Sequence, residues 1–81
     1  MEINFEVFRQ RLNAFVFFHL GSDAICKIEQ DRLGVRVTLQ HPRVHTFSFQ
    51  LENDALVRML SNSDEFEDFM LDKLARHRKS Q

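Results

Sequence analysis

The chain reads as a small α+β domain: a three-stranded antiparallel meander with helices packed on one face, in the order α-β-β-β-α-α. Three observations predict this. Apolar residues recur at helical spacing as far as Leu20, alternate strictly between Asp23 and Leu51, and then return to helical spacing. The gaps between the alternating runs are short enough to be hairpin connections. A composition of 43% hydrophobic and 28% charged residues is that of an ordinary globular chain. Residues 1–81 are expected to form a single compact domain, with 78–81 as a frayed tail.

The first helix is expected over residues 4–19. Asn4 is suited to cap it, and Phe5, Phe8, Leu12, Phe15, Val16 and Leu20 share one stripe, with Gly21 where a C′ residue belongs. A competing reading ends the helix at Asn13 and makes residues 14–20 an added fourth strand. Phe15 to Phe18 are strand-rich, and Gly21-Ser22 could turn a hairpin.

Three half-buried strands follow. Ala24, Cys26 and Ile28 oppose Lys27 and Glu29; Val35, Val37 and Leu39 oppose Arg36, Thr38 and Gln40; Phe47, Phe49 and Leu51 oppose Thr46, Ser48 and Gln50. One sheet face should therefore be in water. After Leu51, Asn53 or Asp54 is expected to cap a short helix carrying Leu56, Val57, Met59 and Leu60. Asn62 or Ser63 should cap the last helix, whose inward stripe is Phe66, Phe69, Met70, the stem of Lys73, Leu74 and His77.

No catalytic constellation emerges, and the expectation is that the protein is not an enzyme and uses no cofactor. His41 and His45 are separated by Pro42, which forbids the helical metal pair that a spacing of four would otherwise permit. His41 reads as a turn residue, His45 as a strand residue, His19 as a residue of the apolar helical stripe and His77 as a complement to a helix dipole. Cys26 faces inward as a small hydrophobe. No glycine-rich loop or nucleophile elbow is present. A lone cysteine, no signal-peptide pattern and no apolar run near the roughly 20 residues needed to span a bilayer point to the cytoplasm.

The net charge is −1 but the charges are segregated. Asp64, Glu65, Glu67, Asp68 and Asp72 precede Lys73, Arg76, Arg78 and Lys79, an order that complements the macrodipole of the last helix. Asp64, Glu65, Glu67 and Asp68 could also form an acidic patch for a protein partner with a basic or nucleic-acid-binding surface. On the first helix, Val7, Ala14, Phe17 and Phe18 point away from the apolar stripe. A monomer's surface helix should be polar there, so these four residues are expected to carry self-association into a homodimer. The alternative function is nucleic-acid binding through Arg36, Arg43, Arg76, Arg78 and Lys79.

The α-β-β-β-α order resembles the double-stranded RNA-binding domain. In that family the last helix opens with a lysine cluster that straddles phosphates; the opening here, Ser63-Asp64-Glu65-Phe66-Glu67, has the opposite sign. With its additional helix the order also resembles small phage-encoded anti-CRISPR proteins in size, element order and an acidic segment near the last helix. The expected function is thus a non-enzymatic interaction module of inhibitor or adaptor type, of the kind mobile elements encode, that masks a partner's surface.

All nine aromatic residues of the chain are phenylalanines. Phe5, Phe8, Phe15, Phe47, Phe49, Phe66 and Phe69 fall on inward stripes. Phe17 and Phe18 are left over.

Overall fold

The computed structural model describes residues 4–79. In chain order it comprises α1 (Phe5–Leu20), a 3₁₀ turn (Gly21–Asp23), β1 (Ile25–Gln30), β2 (Gly34–His41), β3 (Val44–Glu52), α2 (Asn53–Ser61) and α3 (Ser63–His77). The strands form one antiparallel sheet in the order β1-β2-β3, so the fold is α+β with the element order that the periodicities predict.

Residues 14–20 are helical, which excludes the added strand. Of the expected stripe, Phe8, Leu12, Phe15 and Val16 are buried, and Phe5 and Leu20 at its two ends are half-buried against the core. The Asn4 side chain accepts from the Glu6 and Val7 amides and caps α1. The helix closes with the Gly21 amide donating to the Phe17 carbonyl, at a φ of 81° that favours glycine.

Val35, Val37, Leu39, Phe47, Phe49 and Leu51 are buried on one sheet face, with the buried residues of all three helices in the same core. Arg36, Gln40, Ser48 and Gln50 lie exposed on the other face. Phe8 and Phe15 each meet the Phe66 ring edge-on, at centroid distances of 6.2 and 6.0 Å, and these contacts join α1 to α3. Phe69 approaches Phe49 at 5.2 Å and the Lys73 ammonium sits over the Phe69 ring, as its inward-lying stem requires.

The capping of α2 differs from expectation. Neither Asn53 nor Asp54 is its N-cap; Glu52 occupies that position without a side-chain bond. Asn53 instead ties α2 to the β1–β2 turn, its amide donating to the Leu33 carbonyl and its side chain to that of Arg32. That turn is itself fastened by the Asp31 carboxylate, which accepts from the amides of Leu33 and Gly34. Asn62 caps α3 through the Glu65 amide.

The chain stays attached beyond α3. Arg78 forms an antiparallel bridge with Val44, and the Lys79 amide donates to the Arg43 carbonyl at 3.0 Å. Residues 80 and 81 of the expected frayed tail lie outside the described residues. Among those described, no helix is long and apolar enough to cross a membrane.

Candidate functional site

Two clefts flank His19. The first is a groove of about 530 Å³ between α1 and α3. Helical spacing sets its walls: Arg11, Ala14 and Phe18 follow one another along α1, and Ser63, Glu67 and Leu71 recur every fourth residue along α3. Phe15 and Phe66 contribute to the lining from the edge of the core. Phe18 is 82% exposed and Leu71 44%, so the groove presents apolar surface to solvent.

Its charged surroundings are asymmetric. The Arg11 guanidinium is engaged, donating to the Leu60 carbonyl at 2.7 Å. The expected acidic patch divides: Glu65 turns to α2 and receives a 2.6 Å bond from Arg58, whereas Asp64, Glu67 and Asp68 remain exposed and have no ion pair among the described residues. These three lie at positions spaced by three and four along α3, and the same spacing leads on to Leu71. Of the three, Glu67 lies in the groove wall, and Asp64 and Asp68 are its neighbours on the exposed surface of α3.

The residues expected to carry self-association do not form one patch. Ala14 and Phe18 line the groove. Val7 is half-buried, and Phe17, although 66% exposed, is about 100° around the helix from Phe18 and outside the groove. Periodicity showed that both phenylalanines were surplus to the core stripe, but not that α3 would approach only one of them.

The second cleft, of about 540 Å³, is lined by His19, Leu20, Pro42, Arg43, Val44, Arg78 and Lys79. Three of the five residues proposed for nucleic acid thus converge, because the tail is hydrogen-bonded to the start of β3. The other two stand apart: Arg36 is on the open sheet face and Arg76 is paired with Asp72 at 2.9 Å.

The histidines occupy unlike environments. His41 is not an exposed turn residue but the buried last residue of β2, 7% exposed, with Nε2 3.0 Å from the Leu20 carbonyl and Nδ1 accepting from the Arg43 amide. The period-two parity of Val35, Val37 and Leu39 extends to His41 and could have placed it inward, but nothing local reveals that the Leu20 carbonyl at the end of α1 would meet its ring. His19 is exposed rather than part of the buried stripe, and its ring lies against Phe15 at 4.3 Å and Phe18 at 5.0 Å. His77 stacks on Phe47 at 4.3 Å, nearly parallel, while His45 is exposed on β3. No group of three or more potential metal-ligating side chains occurs among the described residues. Cys26 is half-buried, and burial pushes its thiol up from 9.0 to about 11, so it is protonated at neutral pH.

No protein family, curated protein or solved structure matches this chain.

Proposed function

We propose that this protein is a non-enzymatic interaction module, an inhibitor or adaptor that masks the surface of a protein partner by docking it in the α1–α3 groove. The observation that carries the reading is the exposure of Phe18 over an apolar groove with Glu67 in its wall, Asp64 and Asp68 being exposed within one turn of Glu67 on the same helix. A long trough between two helices suits an amphipathic helix that inserts apolar anchors spaced by three and four residues. The acidic border selects basic flanks on that helix, steering its approach more than adding to its affinity.

The test is a titration with a synthetic helix carrying leucine at such spacing and lysine flanks, followed through the amide resonances. Shifts confined to α1 and α3, lost on Phe18→Glu and weakened when the lysines become glutamates, are expected. Silence of those amides at millimolar peptide refutes the groove as a helix-docking site. Phe18 is so exposed that its replacement leaves the core intact.

The convergence of Arg43, Arg78 and Lys79 on one cleft favours a second reading, the binding of a nucleic-acid backbone. Three phosphate contacts would make the logarithm of duplex affinity fall with the logarithm of salt at a slope of about −3. Absence of binding to duplex RNA and DNA at low salt eliminates it.

A further inference from the structure

We propose that β1 is a self-pairing edge through which two copies of this chain form a two-fold symmetric dimer, its antiparallel β1 pairing centred on Ile28. The surface is separate from the α1–α3 groove and does not depend on the function assigned to that groove.

Among the described residues β1 is paired on one side only, by β2. Two of the usual protections of such an edge are missing: it contains no proline, and its register to β2 runs without a bulge from Ile25 to Gln30; what it carries instead is one charge of each sign, Lys27 and Glu29, which deters pairing only in registers that set like charges together. Its inward residues, Cys26 and Ile28, are only half-buried, although their neighbours across the sheet, Leu39 and Val37, are fully buried. A further strand along this edge would lie beside both.

Hydrogen-bond parity decides which amides are available. The Asp31 amide donates to the Gly34 carbonyl at 2.9 Å, which makes Asp31 and Gly34 a hydrogen-bonded pair. Antiparallel alternation then directs the backbone groups of Glu29, Lys27 and Ile25 toward β2, and those of Gln30, Ile28 and Cys26 toward the open edge.

Charge selects among the symmetric registers that such an edge allows. Centring on Lys27 sets that lysine against its own copy, which is unfavourable. Centring on Cys26 leaves Lys27 opposite Ile25 and Glu29 unmatched. Centring on Ile28 sets Lys27 opposite Glu29 of the second copy, twice by symmetry, in the non-hydrogen-bonded pairs where side chains come closest. Ile28 then meets itself on the inner face, and the outward backbone groups of Cys26 and Gln30 bond each other. Both charges lie on the exposed outer face, 3.7 Å apart within one chain. The open edge of β3 offers no such selection: Arg78 bridges its first residue, and Ser48 and Gln50 on its outer face are uncharged.

Sedimentation of the full chain over a concentration series tests this. The wild type should show a monomer–dimer equilibrium. Lys27→Glu and Glu29→Lys should each weaken it roughly ten-fold, and the double exchange should restore it, because opposite charges again face one another. Both side chains are mostly exposed, so these changes spare the core. Phe18→Glu should leave the dimer unchanged, which separates this surface from the docking groove. A wild type that stays monomeric at millimolar concentration overturns the proposal. So does a dimer indifferent to the single exchanges, or one that the double exchange fails to restore.

Discussion

The Arg43 amide donates to Nδ1 of His41 at 3.0 Å, and the other ring nitrogen of His41 lies equally close to the carbonyl of Leu20. A carbonyl can only accept and an amide can only donate, so the two contacts together require the neutral ring with its proton on Nε2. One imidazole thus ties the end of α1 to the β2–β3 turn, and through the Arg43 carbonyl to Lys79. His41→Phe would deprive both backbone groups of their side-chain partner in a part-buried place. A loss of about 2–3 kcal/mol in urea denaturation is expected. Imidazole nitrogen resonances should identify Nδ1 as the unprotonated atom.

The two glycines should behave differently. A Cβ added at Gly34 would lie 1.8 Å from the Leu51 carbonyl oxygen in the neighbouring strand, so Gly34→Ala must force β2 and β3 apart. A loss of about 3 kcal/mol or more, or failure to fold, is expected. Gly21 has open space where its Cβ would be and only its φ of 81° resists substitution, so Gly21→Ala should cost about 1–2 kcal/mol. Thermal denaturation of the two variants measures the contrast.

Cys26 should be a slow nucleophile. With its thiol pushed up to about 11 by burial, iodoacetamide at pH 8 should alkylate the folded protein far more slowly than the urea-unfolded chain. The folded value is raised above the unfolded 9.0, so the associated stabilisation is complete below about pH 9 and is lost as pH rises through about 11. Cys26→Ala should remove that alkaline component. Equal alkylation rates in the folded and unfolded chains would contradict the burial argument.

Phe66 and Phe18 both line the groove yet should respond oppositely to truncation. Phe66 is 5% exposed and meets two rings edge-on, so Phe66→Ala should cost about 3–5 kcal/mol. Phe18→Ala should change stability by less than about 0.5 kcal/mol while removing peptide binding. A double-mutant cycle on Phe8 and Phe66 should give a coupling of about 0.5–1.5 kcal/mol beyond their separate burial.

The meander was readable because its signals are local. Period-two alternation, a glycine at position 34 and a proline at position 42 specify strands and turns with no knowledge of the rest of the chain. The stripe of Phe8, Leu12, Phe15 and Val16 and the Asn4 cap likewise pointed to α1, but the strand-rich Phe15 to Phe18 left residues 14–20 open until the packed helix excluded the strand. What was not readable depends on partners far along the sequence. His41 finds its acceptor because Leu20 ends α1 beside it, Asn53 fails to cap α2 because it reaches back to Arg32 and Leu33, and Arg78 is held because Val44 has a free edge. The groove belongs to this second class. That Phe18 was surplus to the core stripe was apparent from periodicity, but its wall of Glu67 and Leu71 follows from the packing of α1 against α3.

The edge-on meeting of Phe8 with Phe66 joins the first helix to the last. The β1–β2 and β2–β3 hairpins are local contacts and can form early, but α1 can settle on α3 only after nearly the whole chain has been brought round, at the entropic expense of a long loop. The groove is therefore an assembly of late contacts. Such contacts are also the first to open in the native state, so hydrogen exchange should find the amides along α1 and α3 less protected than those of β2. A ligand that seats between the helices would slow exchange along both, and so report its arrival by damping their opening.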